Sequence, residues 1–374
     1  MVLHLSILVL LLILSLIYEN KIKTEKVAAA LSENGDYHFN STLIPWLLFL
    51  GFIAFLAFVR TDTNDTAVYR DLFKALKPSW ENITEIIHDD SKDKGFYIFE
   101  NFFKMYISDN YHMWFLFFSA TEAIILIKIF RKEAVSFLDS MYFFFASTLY
   151  FNFFSMMRQW FAVCVVFTGI KFLKKGKFFP YLLLCLFAAQ FHNSAYIMIP
   201  VYFLVRGVAW GKRQITVIAL FVIALFFFQP ILNTLESSDG TYDYVISAMN
   251  SNSGSSIIRP VIAIVPVALA YMNKDKINKN DQGINICINM SLLNFLLNLL
   301  ATFTSGLYII RLSTYMNMYN IILYPYLFNV ALNDHKNKNI IKVVFYVLYF
   351  ALYMYEMNNS RAFPYYSNVI GFFK

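Results

Sequence analysis

Long apolar stretches separated by short polar loops recur along the chain and leave few folds open to it. We find about twelve of them, several shorter than the roughly 20 residues of a full bilayer crossing. They cover residues 2–18, 43–59, 111–130, 137–155, 159–173, 178–190, 195–205, 214–232, 259–272, 284–304, 314–332 and 340–355. This pattern predicts an all-α, polytopic membrane protein with about twelve transmembrane helices. Residues 1–374 are predicted to form one integral membrane domain.

The composition excludes a water-soluble fold, because 59% of the residues are hydrophobic and only 15% are charged. The net charge of +7 comes from Lys and Arg in short loops, so it does not indicate a nucleic-acid partner. Cys164, Cys185 and Cys287 lie inside apolar stretches, without the spacing of metal ligands. Motifs such as GxxxxGK[ST], HExxH and GxSxG are missing from the sequence. We therefore predict no metal, no cofactor and no nucleic-acid partner.

The basic residues alternate between the two sides of the predicted bundle. One set of alternate loops holds 19 of the 31 lysines and arginines, which identifies that side as cytoplasmic by the positive-inside rule. Both termini are then predicted outside, as are residues 60–110 and 233–258. Apolar residues recur at helical spacing in 60–110, so this segment is expected to be amphipathic and to lie along the outer membrane surface. The loop 233–258 is interpreted either as a lid or as a solvated linker.

Five arginines lie at the predicted outer boundary, where positive charge is otherwise sparse: Arg60, Arg158, Arg259, Arg311 and Arg361. Each could extend to the lipid headgroups or pair with a nearby acid. A guanidinium also binds phosphate through two parallel hydrogen bonds, which suits a lipid phosphate or pyrophosphate at that depth. No acid stands beside Arg158 or Arg311 in the sequence, and this favours phosphate binding there.

Other polar residues near this boundary have two interpretations each. Asp62 and Asp65 could orient sugar hydroxyls or simply solvate the start of a loop. His192 could accept a proton or bind phosphate, although a single His at a span end is more often structural. Glu122 falls near the middle of a span, where a carboxyl either takes part in the function of the protein or stabilises the packing of its interior. The acidic run 89–93 is interpreted as a solvated loop.

Four segments together resemble the EpsG group of bacterial polysaccharide polymerases, relatives of the Wzy polymerases. They are RTDTNDTAVY at 60–69, MRQWFA at 157–162, FHNSA at 191–195 and RLSTY at 311–315. The resemblance covers about residues 45–330. It implies a membrane glycosyltransferase of the C-type fold in the bacterial cytoplasmic membrane. Such enzymes transfer a growing glycan from polyprenyl pyrophosphate to the terminal sugar of another lipid-linked repeat unit.

The resemblance also implies roles for individual residues, and with the boundary arguments it gives two sets. The predicted catalytic residues are Arg158, Arg311, His192, Asp62 and Asp65. The predicted substrate-binding residues are Arg60, Tyr69, Gln159, Arg259, Tyr315 and Glu122. The expected partners are a polyprenyl-pyrophosphate-linked oligosaccharide and the lipid bilayer, and a chain-length regulator protein is a candidate partner. A lipid-linked oligosaccharide flippase and a membrane O-acyltransferase are the alternative functions.

Overall fold

The computed structural model describes residues 43–63, 65–90, 92–236, 255–303, 306–333, 335–359 and 367. The predicted first span 2–18, Arg361 and most of the loop 233–258 lie outside the described residues. The all-α prediction is confirmed, because 80% of the structure is helix and the described part contains no strand. The count of twelve spans and the C-type glycosyltransferase fold stay predictions.

Fifteen α-helices are defined within the described ranges. In chain order they are α1 (Leu43–Val59), α2 (Thr66–Ala75), α3 (Trp80–His88), α4 (Lys94–Tyr106), α5 (Tyr111–Glu133), α6 (Phe137–Ala146), α7 (Met157–Phe167), α8 (Ile170–Lys175), α9 (Phe178–Ala189), α10 (Met198–Val205), α11 (Lys212–Glu236), α12 (Ile258–Met272), α13 (Gln282–Phe303), α14 (Gly306–Tyr326) and α15 (Lys338–Asn359). Short 3₁₀ turns occupy Leu149–Phe153 and Asn193–Ile197, and one π turn occupies Leu327–Ala331.

Three described helices are long and apolar enough to cross a bilayer: Tyr111–Glu133, Gln282–Phe303 and Lys338–Asn358. Shorter apolar helices include Leu47–Val59 and Ile258–Met272. The chain is therefore a membrane protein with several apolar helices.

Several predicted spans are shorter than the sequence pattern suggested. The stretch 137–155 is divided, because Thr148 adopts a left-handed conformation with φ of 61° after α6. The stretch 159–173 is divided between α7 and α8 at Gly169. A Cβ there would lie 2.8 Å from the ring of Tyr181, so only glycine fits without a shift. Residues 233–236, predicted to begin an outer loop, are helical and belong to α11.

The helices form two compact units. The first comprises the described residues within 1–165, 187–193 and 336–374. In this unit α1 and α2 pack against α5, α3 packs against α4, and α6 packs against α15. Trp114 of α5 is fully buried among the rings of Phe73, Phe96 and Phe103, at centroid distances of 5.7, 5.6 and 4.9 Å. These aromatic contacts anchor α2 and α4, two helices of the segment 60–110, to the membrane-length helix α5.

The second unit comprises the described residues within 166–186 and 194–335, and α13 is its central helix. Helices α8, α10, α11, α12 and α14 all pack against α13. The amide of Asn289 donates to the carbonyls of Val205 and Gly207 at 2.8 and 2.9 Å. These carbonyls lie at the C-terminal end of α10 and just beyond it, so a buried side chain satisfies backbone groups left without helical partners.

Candidate functional site

The guanidinium of Arg158 is a polar centre of the first unit. Arg158 lies in the first turn of α7, and its Nη1 donates to the carboxylate of Asp93 at 3.0 Å and to the hydroxyl of Tyr97 at 2.9 Å. The rings of Tyr69, Phe96 and Tyr97 surround the guanidinium carbon at 6.0, 5.7 and 5.5 Å. The side chain of Arg158 is 28% exposed. Arg158 is thus oriented by an acid far away in sequence while part of it stays accessible.

Asp93 links this arginine to a second segment of the same unit. One carboxylate oxygen accepts from Arg158, and the other accepts from the backbone N–H of Asn193 at 2.9 Å. Asp93 directly precedes α4, has a left-handed φ of 60°, and is only 9% exposed. The interpretation of 89–93 as a solvated loop is therefore wrong for Asp93. A long-range contact buries it, which its polar neighbours in the sequence could not indicate.

The turn that follows α9 lies against the start of α4. The backbone N–H of Phe96 donates to the carbonyl of Gln190 at 3.2 Å. A Cβ on Gly95 would lie only 2.5 Å from the Cβ of Gln190, so this approach requires glycine. His192 is half-buried in the same turn, and its backbone N–H donates to the carbonyl of Ala188 at 3.1 Å. The predicted break at 190–194 is thus a turn held against α4.

Glu100 adds a buried carboxyl to the same face of α4. Tyr97, Glu100 and Lys104 follow one another at spacings of three and four residues, which places them on one side of the helix. Glu100 is 4% exposed, and burial raises its pKa from 4.5 to about 7, although Arg158 and Lys104 act in the opposite direction. Burial likewise raises the pKa of Tyr69, an effect that its contact with Arg158 opposes. A buried carboxyl and a tyrosine hydroxyl near the guanidinium of Arg158 thus both have pKa values that burial raises.

The two predicted aspartates after α1 have different environments. Asp65 is half-buried, and its carboxylate accepts from the backbone N–H of Met156 at 3.2 Å, two residues before Arg158. Asp62 is exposed and forms an ion pair with Arg70 at 2.6 Å. Asp65 thus holds the residue that precedes α7, whereas the side chain of Asp62 is exposed at the protein surface.

Arg60 and Glu122 occupy the interior of the first unit. Arg60 is 1% exposed, lies 4.3 Å from the ring centroid of Phe115, and donates to the carbonyl of Phe153. Glu122 is 1% exposed and lies within electrostatic range of Arg60. Gln159, next to Arg158, is also buried. The enclosure of Arg60 and Glu122 favours internal stabilisation, and their predicted contact with substrate stays a prediction.

The second unit holds the remaining predicted residues that the structure describes. Arg311 lies inside α14, not before a span as predicted, and it is half-buried. Tyr315 is one turn further along, 2% exposed, with its hydroxyl 3.0 Å from the hydroxyl of Ser194. Ser194 and Tyr315, both in the second unit, are therefore in contact through their hydroxyls. Arg259 is exposed in the first turn of α12.

Sequence reasoning missed three residues of this site: Asp93, Tyr97 and Glu100. Tyr97 and Glu100 are polar residues at helical spacing within the aromatic-rich α4, and Asp93 directly precedes this helix. This spacing identified an amphipathic helix but not the residue that its polar face contacts.

The sequence comparisons give one finding. The family model described as the EpsG family matches residues 43–367, which is most of the chain. No curated protein and no solved structure gives a significant match. The matched range includes Arg158, Asp93 and the turn at 190–194. The chain belongs to the EpsG family.

Proposed function

We propose that this protein is a polysaccharide polymerase on the outer face of the bacterial cytoplasmic membrane. It transfers a growing glycan from polyprenyl pyrophosphate to the terminal sugar of another lipid-linked repeat unit. Membership of the EpsG family and the apolar helices support a membrane role in polysaccharide synthesis. The observation that carries the specific reaction is the guanidinium of Arg158, held by Asp93 and Tyr97 and still partly exposed.

The chemistry requires stabilisation of a charged leaving group. The bond between the anomeric carbon and the phosphate oxygen breaks, and the pyrophosphate departs with the bonding electron pair. An oriented guanidinium stabilises this charge without needing to reorganise, and it matches the geometry of phosphate oxygens. The Nε of Arg158 is buried and makes no hydrogen bond to any described residue, so one polar atom of this guanidinium is unsatisfied in the absence of substrate. The phosphate-binding role predicted for Arg311 stays a prediction from the sequence.

The acceptor hydroxyl must lose a proton as its oxygen bonds to the anomeric carbon. Three predicted residues could accept this proton. Asp62 is ion-paired with Arg70 at the surface, and Asp65 already accepts the N–H of Met156. We assign proton acceptance to His192, an imidazole that is half-buried one residue from the Asp93 contact.

A purified system tests the proposed reaction. We expect the detergent-solubilised protein, given only lipid-pyrophosphate-linked repeat units and no nucleotide sugar, to extend them into longer lipid-linked chains. The pyrophosphate bond supplies the driving force, and a metal chelator should leave the rate unchanged because arginine stabilises the leaving group. Replacing His192 with Ala should slow extension by about 10² to 10⁴-fold, the usual contribution of a general base. Product length is read by gel electrophoresis.

The control variant is Lys175→Ala, which removes a charge from a predicted cytoplasmic loop and should not change the rate. If folded protein extends nothing but moves the same lipid across liposome membranes, the protein is a flippase and the proposed reaction is wrong.

A further inference from the structure

We propose that Asp93 is a positioning residue that fixes the guanidinium of Arg158 and the turn carrying His192 in one arrangement. This inference rests on the proposed function, and it adds a residue that neither the sequence motifs nor the family match points to. The side chain of Asp93 bonds both to Arg158 and to the backbone of the 190–194 turn.

The geometry divides the two carboxylate oxygens between two elements. Oδ2 lies 3.0 Å from Nη1 of Arg158, in the first turn of α7. Oδ1 lies 2.9 Å from the backbone nitrogen of Asn193, directly after His192. Both contacts are short enough for charge-assisted hydrogen bonds. A single carboxylate thus connects the proposed leaving-group ligand to the segment that bears the proposed proton acceptor.

The backbone of Asp93 is also held in an uncommon conformation. Its φ of 60° lies in the left-handed region, which aspartate and asparagine adopt more readily than most residues. Such a conformation persists where surrounding contacts determine it, and these residues cluster at functional sites. The hydroxyl of Tyr97, one helical turn further along, is uncharged and accepts a hydrogen bond from the same Nη1 at 2.9 Å.

The consequence for catalysis is orientation. With Nη1 bound to Asp93 and Tyr97, the plane of the guanidinium is fixed, and the edge that remains for phosphate is set before substrate arrives. A misplacement of about 1 Å in such a group costs up to about 10²-fold in rate. Mutation of a residue that orients a binding group without touching the bound ligand typically lowers affinity or activity about 10- to 100-fold. Asp93 does not need to touch the substrate to have this effect.

Asp93→Asn is the principal test, because the amide is nearly isosteric and tolerates the left-handed backbone. Its single carbonyl oxygen can serve only one of the two N–H donors. We expect kcat for chain extension to fall about 10- to 100-fold while KM changes less than about 3-fold, since the lost interaction orients the transition state. Tyr97→Phe, which keeps the ring, should lower kcat by a smaller factor.

The matched control is Asp90→Asn, three residues earlier, where the same chemical change is made on an exposed side chain. It should leave kcat and KM as in the parent protein. A second readout follows the geometry directly by hydrogen exchange of the peptide spanning 188–197. Asp93→Gly keeps the backbone conformation but removes the acceptor for the Asn193 N–H, so this peptide should exchange faster.

The outcomes separate the inference from the function on which it rests. If the parent protein extends chains and Asp93→Asn matches Asp90→Asn in kcat, the positioning role is wrong and the polymerase function stands. An unchanged rate of hydrogen exchange of the 188–197 peptide in Asp93→Gly would show that Asp93 does not hold the 190–194 turn. If the parent protein itself extends nothing, the proposed function is wrong and the inference falls with it. A fall in kcat at constant KM, with faster exchange in Asp93→Gly, supports the inference.

Discussion

Replacing Gly95 with Ala should separate the start of α4 from the turn after α9. The added methyl group would lie 2.5 Å from the Cβ of Gln190, 3.0 Å from its carbonyl oxygen and 3.2 Å from its carbonyl carbon. Carbon atoms in favourable contact lie about 3.5 to 4.0 Å apart. Two of the three opposing atoms belong to the backbone, so a side-chain rotation cannot relieve the clash. The two segments must therefore move apart by roughly 1 Å.

The size of the effect follows from the contacts that this movement breaks. Overpacking costs about 1 to 3 kcal/mol. The hydrogen bond from the Phe96 N–H to the Gln190 carbonyl, now 3.2 Å, would be lost at about 1 kcal/mol. Alanine recovers up to about 1 kcal/mol because it favours a helix over glycine. The free energy of unfolding should fall by about 1 to 3 kcal/mol. The contact between Asp93 and Asn193 should lengthen at the same time, and chain extension should slow.

The assay compares denaturation of the detergent-solubilised proteins by one optical probe, together with the extension rate. Gly51→Ala is the control, because a Cβ on Gly51 has nothing within 4 Å. In α1 this change should raise stability slightly, by up to about 1 kcal/mol. The two glycine variants should therefore shift stability in opposite directions. Gly95→Ala protein with parental stability and activity would refute the close approach of α4 and the turn.

Three further predictions concern charged groups of the site. Glu100→Gln should remove a pH dependence of the free energy of unfolding. The pKa of Glu100 is raised from 4.5 to about 7, so between these values the native protein keeps a proton that the unfolded chain loses. The stability of the parent protein should therefore fall as the pH rises through that range. Denaturation at pH 5 and pH 8 should show a smaller difference for the Gln variant. Arg158→Lys keeps the charge but loses the planar donor set, so extension should fall strongly at a normal protein level, and parental activity would remove Arg158 from the mechanism. Asp62→Asn breaks only an exposed ion pair with Arg70, so stability should change by less than about 1 kcal/mol, and a large loss of activity at that stability would assign Asp62 a direct catalytic role.

Apolar periodicity was sufficient to predict the helices but not where they are interrupted. The stretch 43–59 corresponds residue for residue to α1, and 340–355 falls within α15. The divisions at Thr148 and Gly169 were not visible, because neither residue alters the apolar pattern around it. A left-handed backbone and a close ring contact arise from tertiary packing. Hydropathy measures how well a segment suits lipid, and it is insensitive to such local breaks.

The candidate site shows a different limit. Arg158 could be selected from sequence because a basic residue at an apolar helix start needs an explanation. Its counter-charge could not, because Asp93 lies 65 residues earlier, in a run of acids that suggests only solvation. The local sequence shows that Arg158 has no acidic neighbour. The tertiary fold determines which distant acidic side chain pairs with it.

The arrangement of the first unit explains why an arginine, and not a lysine, suits this position. A guanidinium has five N–H donors in a plane, so Nη1 can be bound by Asp93 and Tyr97 while the donors on its other two nitrogens are not used by these residues. A lysine ammonium would have only three donors around one nitrogen, and two would already be used. The ground-state contacts and the proposed phosphate contacts can therefore coexist on one side chain. Since the same Asp93 also holds the Asn193 backbone, a substitution that frees the arginine should also loosen the turn beside His192.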